Sequence, residues 1–182
     1  MPHDVIVLVG SLRKGSITRK VARTLVKLAP SSLKCDFVEI GQLQHYNADL
    51  EDNLPAEWVA FRDRARRANA VLFVTPEYNR SVPGTLKNAI DVASRPSQKG
   101  AINGKPAAVV SVSPGALSGF GANHHLRQML VFLNMPTLQQ PEVYVGLAAG
   151  LFDASGEMTN ETTREFLKTF MVAFAAWVEK FV

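Results

Sequence analysis

Three short runs in this chain gather the residue types that bind a phosphorylated or aromatic ligand. In the first, the apolar run Val5-Ile-Val-Leu-Val-Gly10 passes into Ser11-Leu-Arg-Lys-Gly-Ser16-Ile-Thr18, where an amphipathic segment begins at once. That order reads as a buried strand, a tight loop and a helix N-terminus. A helix N-terminus presents unpaired N–H groups and the positive end of its dipole, so an anion fits there. Ser11, Ser16 and Thr18 add hydroxyl donors and Arg13 and Lys14 add charge, so the simplest reading is a phosphate site. The second run, Pro76-Glu-Tyr-Asn-Arg-Ser-Val-Pro-Gly84, offers the ring face of Tyr78 and the donating and accepting amide of Asn79, stiffened by Pro76 and Pro83. The third, Ser113-Pro-Gly-Ala-Leu-Ser-Gly-Phe-Gly121, exposes backbone N–H groups at glycines, where a flat ring can approach closely.

Several familiar chemistries are excluded by what stands beside these runs. Gly10 and Gly15 have the spacing of a P-loop, but Ser16 and Ile17 follow where Lys and Ser or Thr are needed. No strand ends in an Asp in the Walker-B manner, so nucleotide hydrolysis is not expected. The dinucleotide fingerprint G-x-G-x-x-G is absent, and Glu39 carries little weight as a ribose-binding acid without it. There is no Gly-x-Ser-x-Gly elbow for a hydrolase. His124 and His125 are adjacent and diverge by about 100° on a helix. With no Cys or acidic residue suitably spaced around them, they suit a surface or interface, and no metal is expected.

The composition is that of an ordinary globule: 182 residues, 47% hydrophobic and 20% charged, read as one domain spanning residues 1–182. Net charge is +4 and the sequence pI is near 9.4. Only Arg62, Arg64, Arg66 and Arg67 cluster, and on a helix they are expected to form a mostly solvated face, so no nucleic-acid partner is expected. Cys35, the only cysteine, falls in a predicted strand as a small buried apolar residue. A strand begins almost at the first residue, with no basic-then-apolar leader, and no apolar run reaches the length of a membrane span. The cytoplasm is the expected compartment.

The elements that must position the three runs follow from periodicity. Strands are expected at 4–10, 34–40, 70–76, 106–113 and 142–145, and helices at 16–29, from Pro55 to about 68, at 84–93, from about 121 to 133, and at 159–181. Residues 42–54 read as a polar surface loop and 94–105 as a Pro/Gly-rich connection. In the last helix Thr162 and Glu165 have capping-box spacing, and Phe166, Phe170, Phe174, Trp177 and Phe181 form a stripe expected to face the core. Strands alternating with helices imply a parallel, doubly wound α/β sheet whose ligands sit beyond the carboxyl ends of the strands. The three runs all lie there and are read as one site. A phosphate site, a flat-ring site and little acid–base machinery together suggest flavin mononucleotide (FMN).

At this point the motifs carry a resemblance over essentially the whole chain. Gly10-Ser-Leu-Arg-Lys-Gly-Ser16, Pro76-Glu-Tyr-Asn-Arg-Ser-Val-Pro-Gly-Thr-Leu-Lys-Asn-Ala-Ile-Asp91 and Ser113-Pro-Gly115 resemble the NADPH-dependent FMN reductase family, in its branch of bacterial chromate, quinone and azo-dye reductases. The resemblance implies a flavodoxin-like, three-layer, five-stranded sheet of order 2-1-3-4-5 and non-covalent FMN. It implies that Ser11, Arg13, Ser16, Ile17 and Thr18 surround the phosphate, with Thr18 standing where many relatives have Asn. Pro76, Glu77, Tyr78 and Asn79 would line the ribityl and isoalloxazine, and Ser113 and Gly115 would flank the ring edge. Hydride would pass from NAD(P)H through FMN to quinones, azo compounds, free flavin or chromate in ping-pong fashion, with no catalytic side chain assigned. A homodimer or homotetramer is implied, with Arg127 and Glu142 at positions that meet across subunits. The apolar Leu130, Phe132, Leu133 and Leu138 are read as part of that surface. The alternative on the same fold is a flavin-binding electron carrier or regulator without NAD(P)H turnover. Flavodoxins of that kind are typically acidic, whereas a basic chain suits a phosphorylated nicotinamide substrate better.

Overall fold

Alternation along each strand builds a core on both faces of one sheet. In the computed structural model, which describes residues 1–97 and 99–182, strand β1 (His3–Val9) sends Val5, Val7 and Val9 to one face and Ile6 and Leu8 to the other. Strand β3 (Ala70–Thr75) does the same with Leu72 and Val74 against Val71 and Phe73. Strands covered on both sides read as continuous apolar runs, which is why these were visible in the sequence. With β2 (Leu33–Phe37), β4 (Ala107–Val112) and β5 (Val143–Val145) they form a parallel sheet in the order β2-β1-β3-β4-β5, as the resemblance implied. Gln98, inside the predicted 94–105 connection, lies outside the described residues.

Helices α1 (Ile17–Lys27) and α5 (Glu161–Val178) cover one face, packing Val21, Leu25, Phe170 and Phe174 on the valines. Helices α2 (Ala56–Arg67), α3 (Gly84–Ala93) and α4 (Phe120–Phe132) cover the other with Trp58, Phe61, Leu86, Ile90, Leu126 and Leu130. Among the described residues, no helix is long and apolar enough to cross a membrane.

Several expectations are corrected. Strand β2 stops at Phe37, and after the Val38 N–H donates to the Val7 carbonyl at 3.2 Å the chain leaves the sheet at Glu39 and Ile40. The Thr162–Glu165 box is not the start of α5: Asn160 is, its side chain accepting from the Thr163 N–H at 2.9 Å, so Thr162 already lies in the first turn. The buried face of α5 runs through Leu167, Phe170, Met171, Phe174 and Val178. Phe166 therefore sits at its exposed edge, and Phe181 lies beyond the last helical residue and is exposed. Of the apolar residues read as an association surface, Leu130, Leu133 and Leu138 are core, and only Phe132 is open, at 79% exposure.

The arginine cluster is the largest correction. Arg62 is 2% exposed, with its guanidinium 5.4 Å over the Trp58 ring. Its Nε donates to the Val92 carbonyl at 2.8 Å, and its two terminal nitrogens donate to both carboxylate oxygens of Glu51. Arg64 likewise forks onto Asp4 at 2.7 and 2.8 Å, tying α2 to β1. The 42–54 loop is consequently packed rather than free. The Trp58 Nε1–H donates to the Gln44 carbonyl, Asn88 bonds residues 43, 44 and 46, and Tyr46 stacks on Trp58.

Arg62 generates a stability prediction. Arg62→Met keeps the stem and removes bonds that are each worth about 1.5–3 kcal/mol when a charge is involved, so urea denaturation should show a loss of about 1–3 kcal/mol after repacking. Hydrogen bonding from Arg62 also holds the Glu51 carboxyl below its usual value. A lowered folded pKa stabilises above the ordinary glutamate value and is lost as pH falls through the lowered one. The gap between wild type and Arg62→Met should therefore be full at neutral pH and narrow on acidification, down to the part carried by the Val92 bond and the Trp58 contact.

Candidate functional site

The chain leaves β1 toward one edge of the sheet and β3 toward the other, so a crevice opens between their carboxyl ends. Gly10 closes its floor. Its N–H donates to the Val74 carbonyl at 2.9 Å, and a Cβ there would stand 3.1 Å from Thr75 Oγ1 and 3.2 Å from both Leu86 Cδ2 and Pro76 Cδ. A larger residue would require these neighbours to give by a few tenths of an ångström.

A cavity of about 220 Å³ lies over this crevice, lined by Ser11, Arg13, Ser16, Ile17, Thr18, Pro76, Glu77, Tyr78, Val112, Ser113 and Pro114. Ser16 caps α1, its Oγ accepting from the Arg19 N–H at 3.1 Å, which leaves the N–H groups of Ile17 and Thr18 at the open helix end. Ser11 and Thr18 are each 4% exposed, and no hydrogen bond to either hydroxyl is formed by the described residues. Both residues line the cavity, so their hydroxyls can donate to a ligand there. Two such hydroxyls, a helix N-terminus and the Arg13 guanidinium around one cavity match the acceptor oxygens and charge of a phosphate monoester. Arg13 and Tyr78 also line an adjoining hollow of about 410 Å³ with Gly10, Leu12, Pro83, Gly84 and Thr85.

The second run folds back on itself. The Tyr78 N–H donates to the Ser81 carbonyl at 2.9 Å and the Ser81 N–H to the Tyr78 carbonyl at 3.0 Å, around Asn79 and Arg80 at φ 51° and 63°. Glu77 takes a part that the sequence did not reveal. One carboxylate oxygen accepts from the Ala122 N–H at 2.9 Å in the first turn of α4, and the other accepts from Arg80 at 2.7 Å. Gly119 precedes that helix in a left-handed conformation with no side chain to cap it, so Glu77 supplies the cap from another loop.

The third run is fixed by a buried polar chain. Ser111 Oγ donates to the Ser118 carbonyl at 2.8 Å, and the wholly buried Asn123 donates to Ser111 Oγ and to the Val143 carbonyl. Asn123 Oδ1 accepts from Arg127 Nε at 2.9 Å, and Arg127 donates onward to the Leu138 carbonyl. Ser113 Oγ accepts from the Gly115 N–H at 3.0 Å, so that N–H is already engaged while the serine proton stays free to donate.

Of the residues singled out from sequence, the cavity lining thus gathers all but Asn79 and Gly115, which flank it on the hairpin and beside Ser113. Sequence reasoning missed Val112 and Pro114; Pro114 lay inside the Ser113–Gly115 motif, while Val112 reads only as strand. Glu39 pairs with Arg19 at 2.7 Å, which holds its carboxyl below the usual range. Cys35 is half-buried, and burial, with Asp36 and Asp4 nearby, pushes its thiol up to about 11. His124 and His125 are both exposed; His124 Nε2 meets the Tyr144 hydroxyl at 3.0 Å, and burial first and Glu142 second raise that phenol.

Comparison with known proteins agrees with this geometry. Residues 3–150 match the family described as NADPH-dependent FMN reductase. A quinone reductase of Pseudomonas putida is 62% identical over 178 residues, covering 97% of this chain and 95% of that protein. A 2-hydroxy-1,4-benzoquinone reductase from a Burkholderia species is 43% identical, covering 98% and 97%. The solved structure of FerB, a flavoenzyme NAD(P)H:(acceptor) oxidoreductase from Paracoccus denitrificans, superposes with a TM-score of 0.92 at 42% identity and 98% coverage of both chains. On the sheet order, the lining of the crevice and these likenesses together, the chain belongs to the NADPH-dependent FMN reductase family of flavodoxin-like oxidoreductases.

Proposed function

We propose that the chain is an NAD(P)H-dependent quinone reductase whose crevice holds FMN, with the phosphate among Ser11, Arg13, Ser16, Ile17 and Thr18. The ribityl and ring then run along Pro76, Glu77, Tyr78 and Asn79 toward Ser113 and Gly115. The observation that carries this reading is the convergence of the Ser11 and Thr18 hydroxyls, the Arg13 guanidinium and the open end of α1 on one cavity. When bound, FMN supplies the redox chemistry, taking hydride from NAD(P)H and handing electrons to the acceptor.

The chain's own residues bind and orient. Arg13 offsets the phosphate charge, and the first-turn N–H groups of α1 donate to its oxygens. Tyr78 and Pro76 form an apolar wall, and the free proton of Ser113 offers a donor at the ring edge. Arg13, with Lys14 beside it in the loop, gives the mouth a positive charge that attracts a phosphorylated dinucleotide. Quinones are the first acceptors to try, because the Pseudomonas and Burkholderia relatives are named for them. Azo compounds, free flavin and chromate extend the list. Donor and acceptor share one opening and so must use it in turn.

A homodimer or homotetramer in the cytoplasm completes the reading. A cavity of about 500 Å³ between α3 and α4, walled by Val82, Ile90, Met129 and Phe132, is the surface we assign to pairing, and Glu142 remains a candidate contact. Arg127 is a poor probe of it, because replacing it strips Asn123 and the Leu138 carbonyl of their donor within the subunit.

The purified protein should release FMN on denaturation and oxidise NADPH with a quinone, and double-reciprocal plots should be parallel. Intersecting lines would require a ternary complex and two separate sites. Arg13→Ala should weaken FMN binding about ten- to a hundredfold, the equivalent of roughly 1.5–3 kcal/mol for a bond to a charged group. An unchanged dissociation constant would move the phosphate elsewhere.

A further inference from the structure

We propose that Ser81 and His125 are positioning residues for the ligand-facing turn: with Glu77 they clamp residues 78–81 onto the first two turns of α4, so that this helix sets where Tyr78 stands in the crevice. The proposal rests on the reading that this crevice holds FMN.

The turn does not hold its shape unaided. Asn79 and Arg80 are consecutive non-glycine residues in the left-handed region, which side-chain-bearing residues adopt only against steric resistance. Its internal supports are the pair of hydrogen bonds between Tyr78 and Ser81 and the exposed Arg80–Glu77 ion pair, and a two-stranded turn of that size is marginal in water. Two outside contacts supply the rest. Glu77 accepts from the Ala122 N–H, and Ser81 Oγ lies 2.7 Å from His125 Nδ1. Positions 122 and 125 are three apart on one helix, so both contacts fall on one face and one axis.

Gly121 lets the helix come this close. A Cβ there would stand 2.9 Å from Glu77 Oε2 and 3.0 Å from the Arg80 carbonyl oxygen. The helix itself is a fixed reference, since the buried Asn123 ties it to β4 and to β5. Position is thus relayed from the sheet through Asn123 to α4, and from α4 through Ala122 and His125 to the turn that carries Tyr78.

The test compares wild type with Ser81→Ala, His125→Ala, His125→Asn and Gly121→Ala. It uses FMN dissociation constants from flavin fluorescence, amide hydrogen exchange at Ser81 with and without FMN, and melting temperature. A bond contributing about one net neutral hydrogen bond corresponds to roughly a three- to tenfold change. Ser81→Ala and His125→Ala should raise the FMN dissociation constant and the Ser81 exchange rate by about that factor. His125→Asn, whose side-chain amide can accept or donate where Nδ1 stands, should restore both to within about twofold of wild type. Gly121→Ala should reproduce the loosened turn without deleting any polar group. Lower melting temperatures with unchanged FMN affinity and unchanged Ser81 exchange would overturn the proposal. Exchange is read on flavin-free protein too, so a wild type that bound no FMN would defeat the functional reading while the exchange rates still decided the clamp.

Discussion

The pairing of β1 with β3 is the constraint on which the molecule depends. Both strands are buried on both faces, so a one-residue slip would exchange the side chains packed under α1 and α5 with those packed under α2, α3 and α4. Their carboxyl ends are locked side by side by the Gly10 N–H on the Val74 carbonyl, and their continuing loops must diverge. The crevice is the space that divergence leaves. Its floor can be narrow because position 10 lacks a Cβ, and its walls are α1 and the second loop because those follow β1 and β3 directly.

Helix ends divide the labour around that crevice. The amino end of α1 keeps N–H groups facing the cavity, while that of α4 is occupied by the Glu77 carboxylate. A negative charge already bound at α4 makes α1 the better anion site, even though both helices start at the same edge of the sheet. The same carboxylate holds the exposed Arg80 guanidinium, so one side chain caps a helix and ties a loop.

How much of this could be read from the chain depended on the range of the interaction. The strands were legible because parallel strands are apolar on every side, and the phosphate loop because its hydroxyls lie within eight positions of one another, Ser11 to Thr18. Arg62 was misread because nothing in an arginine-rich helix says which guanidinium turns inward; Trp58 below it and Glu51 opposite decide that. Asn160 outcompeted Thr162 for the start of α5 through side-chain geometry that the capping-box spacing does not encode. Glu77 and Ala122, or Ser81 and His125, lie more than forty positions apart, and only the assembled sheet brings them together.

Cys35 shows what a fold does to a reactive group it has no use for. With its pKa pushed up to about 11, roughly one thiol in ten thousand is ionised at neutral pH, about a hundredfold fewer than for an ordinary cysteine. The thiolate, not the thiol, attacks electrophiles. Quinones are electrophiles that arylate thiolates, so an enzyme working among them is threatened by its own substrates. By half-burying its lone thiol in β2 near Asp36 and Asp4, the chain makes itself slow to be poisoned by the compounds it is proposed to consume.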